Sequence, residues 1–225
     1  MTRWSGVLLL CALLAGCSGL FRSTARPEQT YYLRAPAGTS SASDASSPPA
    51  IQASVRVGRP VVYPGLDSSH ITLLQPDHQM NFYTAARWPA ALPEVIETLT
   101  VETLSASGAW AAVVDSTSPF PADYLLQVTV RRFDADYTAR GAAPVVHVTF
   151  DCIVGRREGR EVIATFIASA SAPAAANRLS EVVAAFEQAT SEALGSLSER
   201  AAQAARADAA HAAHDGHKPA AAGGH

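Results

Sequence analysis

The sequence has 225 residues and a formal net charge of −3, and 48 % of its residues are hydrophobic. The chain is rich in alanine but otherwise ordinary for a globular protein, and it is long enough for one domain with a substantial core. Basic residues form no stripe, so a nucleic-acid partner is not expected.

The N-terminal residues are typical of an exported lipoprotein. The first four residues carry one arginine, and residues 7–16 are apolar and end on small side chains. A run of this length is too short to cross a bilayer, which needs about 20 residues, but it suits the core of a secretory signal. Leu14-Ala15-Gly16-Cys17 has the pattern of a lipobox, which predicts a signal peptide over residues 1–16 and lipid attachment at Cys17. The alternative is an ordinary signal peptide followed by an incidental cysteine.

Cleavage after residue 16 would leave 209 residues, of which 16 are basic and 20 acidic. Cys11 would leave with the signal and Cys17 would be blocked by lipid, so Cys152 would be the only thiol and no intramolecular disulfide is expected. Ser18 follows the lipobox, whereas an aspartate there resembles an inner-membrane retention signal. The serine therefore favours an outer-membrane lipoprotein on the periplasmic face. Two or more acyl chains would anchor such a protein stably.

Composition divides the rest of the chain into three parts. Residues 17–50 are expected to hold the lipid anchor, a short strand over residues 30–35 and a flexible linker rich in Ser, Ala, Pro and Gly. The patterned domain covers residues 51–206. Residues 207–225 have an Ala- and His-rich composition that predicts a disordered tail.

Hydrophobic periodicity predicts the elements of this domain. In chain order they are a strand over residues 51–63, a hairpin over 71–84, an amphipathic helix over 90–107, a strand over 110–115, three longer alternating strands within 124–169, and an amphipathic helix over 177–206. The predicted fold is a single-domain α+β protein, a mixed and largely antiparallel β-sheet with two amphipathic helices packed on one face. The other face, with Gln127, Arg131, His147 and Thr149, is expected to stay polar and to meet solvent or a partner.

The sequence contains no motif that points to catalysis. It lacks a nucleophile elbow, a phosphate-binding loop, a paired-cysteine metal motif and a His-Glu helix motif. His147 and Cys152 lie on one predicted strand but at positions that point to opposite faces, so they cannot form a nucleophilic pair. We therefore expect neither an enzyme nor a cofactor, with Cys152 buried in the core.

The C-terminal histidines could bind a metal. His211, His214 and His217 are three residues apart, and neutral imidazole is a good ligand for zinc, copper or nickel. Because the segment has no core-forming side chains, a disordered tail with adventitious metal affinity is the favoured interpretation.

Aromatic residues suggest both core and partner contacts. Trp88 falls on the apolar stripe of the first helix, which favours the core over an exposed interface. Tyr63, Leu66, Phe82 and Tyr83 surround a turn and a hairpin. If exposed, they form an apolar patch of the kind that marks a binding surface; the alternative is packing within the hairpin's own layer.

The order of these features resembles the ABC-type transport auxiliary lipoprotein family. The resemblance rests on the lipobox, TYYL, VRVGRPVVYPGLDSSHITLLQ, NFYTAARWPAALPEVIETLTVETL and ADYLLQVTVRRFDAD. The family commonly has Leu-Asp-Arg where this chain has Leu66-Asp67-Ser68, so Arg59 or Arg87 is a candidate to supply the missing arginine.

The resemblance implies a non-catalytic component at the outer membrane that docks on a periplasmic MCE-domain assembly carrying phospholipid or another hydrophobic cargo. It adds Asp67 and Arg87 to the candidate partner-binding residues. Since MCE assemblies form rings, a homo-oligomeric ring of this lipoprotein is a further expectation. The alternative is a stand-alone envelope lipoprotein with a metal-binding tail.

Overall fold

The computed structural model describes residues 27–35, 50–138 and 143–215. The strands are β1 Gln29–Thr30, β2 Ile51–Val57, β3 Val61–Val62, β4 His70–Leu74, β5 Met80–Arg87, β6 Trp110–Val114, β7 Tyr124–Asp136, β8 Val145–Arg156 and β9 Val162–Pro173. The helices are α1 Leu92–Ala106 and α2 Leu179–Asp215. All of these strands belong to one sheet.

The long strand β7 is the centre of the sheet. On one side it pairs antiparallel with β8 along its whole length, and β8 pairs antiparallel with β9. On its other side β7 pairs in turn with β2, β3 and β4 through parallel ladders of two or three residue pairs. β6 extends the sheet beyond β2, and β5 and β1 extend it beyond β4. The sheet is mixed, with antiparallel pairing along its longest strands, as predicted.

Both helices pack on the same face of the sheet. α2 contacts β7, β8 and β9, and α1 contacts β2, β3 and β6. Alternate strand residues on this face are 0 % exposed: Leu126, Val128, Val130, Val146, Val148, Phe150, Cys152 and Val154. The predicted α+β domain with two helices on one face is therefore confirmed.

Three aromatic rings join helix α2 to the sheet. The ring centroid of Trp88 lies 5.9 Å from that of Phe133 on β7 and 5.4 Å from that of Phe186 on α2. Trp88 is 1 % exposed, so its predicted place in the core is confirmed. Full burial of a side chain such as Phe186 contributes about 1.5–3 kcal/mol to stability.

The start of α1 is held by the loop before β4. Pro93 lies in the first turn, where its missing N–H leaves no helical hydrogen bond unmade. The backbone N–H of Trp88 donates to the carbonyl of Ser69 at 2.7 Å, and that of Leu92 donates to the carbonyl of Ser68 at 3.0 Å. These bonds position the hairpin β4–β5 beside the helix.

Helix α2 is longer than the sequence pattern predicts. It continues to Asp215, so the prediction of disorder is wrong for residues 207–215, and residues 216–225 lie outside the described residues. Alanine has the highest helix propensity, and Ala201, Ala202 and Ala205 are buried against the sheet. One turn further on, the Asp208 carboxylate accepts hydrogen bonds from the Tyr124 hydroxyl at 2.9 Å and from Arg156 Nε at 3.1 Å. These contacts from β7 and β8 explain why the helix extends past Arg206.

The first strand is shorter than predicted. Of residues 30–35, only Thr30 belongs to β1, which pairs parallel with Ala86 and Arg87 of β5. The backbone N–H of Tyr31 still bonds to the carbonyl of Arg87 at 2.8 Å. Leu33 and Ala35 then pack against the core without a ladder. The expected signal peptide, Cys17 and residues 36–49 of the linker lie outside the described residues.

Candidate functional site

The face of the sheet opposite the helices is the candidate functional site, and we call it the open face. Its middle is polar, as predicted: Thr129 of β7 pairs with Asp151 of β8, and Gln127 and Thr149 lie two residues away on the same two strands. Arg131 forms an ion pair with Asp151, with Nε 3.4 Å from the carboxylate, and attraction to that carboxylate raises the pKa of Arg131. The pair is exposed and is therefore expected to contribute little to stability.

The open face also carries a set of exposed apolar side chains. These are Val61, Tyr63, Met80, Phe82, Leu125, Ile153, Val162 and Ile167, each between 41 and 60 % exposed. Strand pairing identifies their side of the sheet, because residues opposite each other in a ladder point to the same face. Val61 is opposite Thr129, and Ile167 is opposite Asp151. The prediction that this face is polar is thus only partly correct, because aliphatic and aromatic residues occupy both ends and, at Val61 and Ile167, also flank the polar middle.

One end, which we call the hairpin end, consists of Tyr63, Met80 and Phe82. Met80 and Phe82 alternate along β5 opposite Leu74 and Thr72, so both side chains leave the sheet on the open side. The Phe82 ring lies 5.1 Å from the His70 ring. Gly65 has a φ of +90° and allows Met80 to approach, because an added Cβ would lie 2.7 Å from Met80 Sδ. The Arg131 guanidinium lies 5.8 Å from the Tyr63 ring centre and connects this end to the polar middle.

The structure separates the six residues that the sequence assigns to partner binding. Tyr63, Asp67, Phe82 and Arg87 are exposed. Leu66 is only 4 % exposed and therefore contributes to the core rather than to an exposed patch. Met80, which the sequence analysis missed, joins Tyr63 and Phe82; its position two residues before Phe82 on a strand is the signal that could have found it.

Tyr83 points to the other side of the sheet. It is half-buried, and its hydroxyl lies 2.8 Å from that of Tyr137, which in turn donates to Asn177 at 2.8 Å. Burial, and then the hydrogen bond with Tyr137, raise the pKa of Tyr83. For Leu66 and Tyr83, therefore, packing against the domain's own layers is the correct interpretation.

The two arginines that could replace the family's arginine are both engaged elsewhere. Arg59 pairs with Glu94 at the start of α1, with 3.5 Å between nitrogen and oxygen. Arg87 pairs with Glu28 just before β1 at 3.2 Å. Arg87 therefore links the N-terminal segment to β5 beside the hairpin end.

The opposite end of the open face, where β7 begins and β8 ends, contains a cavity of about 600 Å³. Leu125, Ile153 and Val162 form its apolar floor. We call this part of the open face, defined by these three residues, the cavity end. Arginine side chains, including Arg157 and Arg160, stand around it. The sequence analysis did not identify this site: Arg156, Arg157 and Arg160 lie in one segment, but Arg56 and the apolar floor come from other strands that only the sheet brings together.

Cys152 and His147 lie on opposite faces, as predicted. Cys152 is 0 % exposed beneath α2, and burial raises the pKa of its thiol to about 12. His147 lies on the open side, with Nε2 4.0 Å from the Asp136 carboxylate. The thiol and the imidazole therefore cannot act on one substrate group.

The C-terminal histidines are spread along the exposed end of α2. His211 Nδ1 lies 2.7 Å from the carbonyl of Ala207, and His217 lies outside the described residues. Within the described ranges, His, Cys, Asp and Glu side chains form no group of three or more that could hold a metal ion. Neither α1 nor α2 contains an apolar stretch long enough to cross a membrane.

Comparisons with known proteins identify relatives of this chain. The family model described as "ABC-type transport auxiliary lipoprotein component" matches residues 31–200. The fold is similar to that of the Xanthomonas campestris protein XCC0632, with a TM-score of 0.67 and 22 % identity over 84 % of this chain and 99 % of that one. A crystal structure of an uncharacterized protein has a TM-score of 0.59 and 15 % identity, covering 78 % of this chain and 99 % of the other. No curated protein matches the sequence.

Proposed function

The chain belongs to the ABC-type transport auxiliary lipoprotein family, and on that premise we propose that it is a non-catalytic docking component of an MCE-type intermembrane lipid transport system. In this proposal Cys17 carries the lipid that holds the chain on the periplasmic face of the outer membrane. An MCE-domain periplasmic protein of the same system is the partner, and phospholipid is the cargo.

The observation that carries the docking proposal is the hairpin end of the open face. Tyr63, Met80 and Phe82 are each between 43 and 45 % exposed, side by side on a sheet that no element of the described chain covers on that side. Aromatic residues and Met are enriched at the centres of protein interfaces, and large exposed apolar side chains in a group mark binding sites.

Charged residues surround these apolar ones, as at the rim of an interface. Asp67 is exposed in the loop that follows Tyr63, and Arg131 and Asp151 lie on the side of the polar middle. Burying Phe82 and Met80 under a partner would leave these charges at the edge, where water can still reach them. An interface of this kind gives the partner both affinity and orientation.

The N-terminal segment supports a tether between the proposed lipid anchor and the hairpin end. Gln29 pairs with Ala86 of β5, the strand that also carries Met80 and Phe82. From Cys17 to Gln29 the fully extended chain would span at most roughly 40 Å. In this proposal the distance from the bilayer to a partner docked on the hairpin end is limited by this segment together with the part of β5 between Ala86 and Phe82.

Co-purification from native membranes tests this proposal. The full lipoprotein carries an affinity tag that contains no histidine, and bound proteins and lipids are identified by mass spectrometry. We expect an MCE-domain protein, and mass photometry of the same material reads whether a ring is present. Phe82→Ser should lose most of the partner, since truncation at an interface hot spot weakens binding roughly thirtyfold.

Tyr32→Ser is the matched control. Tyr32 is 70 % exposed and lies outside the hairpin end, so this variant should recover as much partner as the native chain. Equal losses in the two variants would contradict the docking site. Recovery of no envelope partner, with only metal retained, would contradict the transport function and favour the metal-binding tail.

A further inference from the structure

The cavity at the far end of the open face has an aliphatic floor that the strand register builds. Leu125, Gly155 and Val162 lie directly opposite one another on β7, β8 and β9. Gly155 lacks a side chain, and an added Cβ would lie only 3.2 Å from the carbonyl oxygen of Glu161. The glycine therefore leaves a trough between Leu125 and Val162, and Ile153 continues it along β8.

Arginines surround this trough. The cavity is lined by Arg56, Arg156, Arg157 and Arg160 and by one acidic residue, Glu161. This concentration of positive charge stands in a chain whose formal net charge is −3. A site of this kind attracts an anion.

The four arginines differ in how far their charge is already neutralised. Arg156 is engaged by Asp208, and the Glu161 carboxylate lies 3.7 Å from it. Arg56 donates to the backbone carbonyls of Asp115 at 3.0 Å and Ser118 at 2.9 Å, which hold it in place without removing its charge. Arg157 and Arg160 are exposed, and within the described part of the chain their side chains form no ion pair closer than 4.0 Å.

We propose that this cavity binds one anionic phospholipid, with its phosphate near Arg157 and Arg160 and an acyl chain on the floor formed by Leu125, Ile153 and Val162. Guanidinium groups fit phosphate with paired hydrogen bonds, and the floor offers only aliphatic surface to the rest of the ligand. A cavity of about 600 Å³ lies within the ordinary range for small-molecule sites.

The position of the cavity favours a lipid over an acidic peptide of a partner protein. An extended peptide gains affinity by pairing with main-chain groups at a free sheet edge. Here the floor lies across the face of the sheet: Leu125 and Ile153 belong to strands that are paired on both sides, and only Val162 lies on the edge strand β9. A ligand on this floor gains burial of apolar surface, which suits an acyl chain.

Lipid binding at this site goes beyond docking and can be tested separately from it. The hairpin end carries the docking proposal and the cavity end carries the lipid, so a chain that recovers no MCE-domain partner can still bind phospholipid. The lipid test below uses the purified lipoprotein and needs no partner.

Photolabelling locates the lipid. The full lipoprotein in a nonionic detergent is irradiated with phosphatidylglycerol that carries a diazirine in one acyl chain, and adducts are mapped by mass spectrometry. We expect adducts in the peptides that contain Leu125, Ile153 or Val162. Phosphatidylcholine with the same diazirine should label more weakly, because its headgroup has no net charge.

Two pairs of substitutions separate the site from general surface charge. Arg157→Ala with Arg160→Ala should lower the adduct yield about tenfold, because two charge-assisted contacts with the phosphate are lost. Arg34→Ala with Arg178→Ala removes two exposed arginines elsewhere and should change nothing; these are 86 % and 71 % exposed. Val162→Asp, on the floor, should also abolish labelling, and thermal unfolding confirms that each variant is folded.

Several results would overturn the proposal. Equal loss in the two arginine pairs, or adducts away from the cavity end, would show non-specific contact with lipid. Labelling that inorganic phosphate abolishes but Val162→Asp leaves unchanged would show a site for a free anion, and competition by a glutamate-rich peptide would show a site for a partner segment.

Discussion

The two faces of the sheet are built from the same strands but end in opposite environments. On β7, Leu126 and Val128 are 0 % exposed under the helices, whereas Leu125 on the open face is 41 % exposed. On β8, Cys152 is buried and its neighbour Ile153 is 41 % exposed. Similar aliphatic side chains thus occur on both faces, and the difference lies in what covers them.

This difference distinguishes apolar residues that stabilise the fold from apolar residues that are available to bind a ligand or a partner. Under α1 and α2, apolar side chains stabilise the domain by leaving water. On the open face the same kinds of side chain stay between 41 and 60 % exposed, so they gain less from folding of the described chain. Their grouping at the hairpin end and at the cavity end therefore points to ligands that bind after folding.

Thiol reactivity gives the sharpest contrast between the two faces. The thiol introduced by Ile153→Cys should react with maleimide at pH 8 about a thousandfold faster than Cys152, since burial raises the Cys152 pKa to about 12 and leaves little thiolate. Time-resolved mass spectrometry of the folded chain measures both rates. Comparable rates at positions 152 and 153 would show that the two faces are not separated as described.

A substitution under the helices should lower the free energy of unfolding by several kcal/mol more than one on the open face. Phe186→Ala removes a fully buried ring that contacts Trp88 and Phe133, so it should lower the free energy of unfolding by about 3–5 kcal/mol. Phe82→Ala on the open face should cost less than about 1 kcal/mol. Urea denaturation of the full chain compares them. Losses of similar size would mean that the hairpin end belongs to the folding core.

A smaller, pH-dependent effect on stability is expected at Asp208, where helix α2 contacts β7 and β8. Its hydrogen bond from Arg156 lowers the pKa of Asp208 below its ordinary value. The ionised carboxylate therefore stabilises the fold above the unfolded pKa of about 4, and this contribution is lost as the pH falls through the lower folded pKa. Asp208→Asn should lower the urea midpoint at pH 7, and the difference from the native chain should shrink below about pH 4.

Asp67→Asn is the control for this titration. Asp67 is exposed in a loop, so its substitution should leave the urea midpoint unchanged at either pH. If the Asp208→Asn difference persisted at low pH, the carboxylate charge would not be its cause. Hydrogen exchange of residues 207–215 in the same variant reads whether the end of α2 frays.

Local sequence patterns predicted most of the fold but only part of the site. The period of two in β7 and β8 correctly assigned buried and outward positions because the pleat alternates along any strand. The apolar stripes of both helices were equally informative. The same patterns could not place Leu66 or Tyr83, since both lie where a turn or a partner strand decides which side a residue faces.

The sequence by itself determined the α+β class, the two covering helices and the burial of Cys152 and Trp88, because each depends on the order of neighbouring residues. The lipobox at Cys17 stays a prediction of the same kind. Tertiary structure alone decided how β7 pairs in turn with β2, β3 and β4, the length of α2 and the arginine-lined cavity. Asp208 meets Tyr124 and Arg156, which are 84 and 52 residues away in the sequence, and the cavity joins Arg56 to Arg157. Contacts across such separations follow from how the strands pair, which no local period encodes.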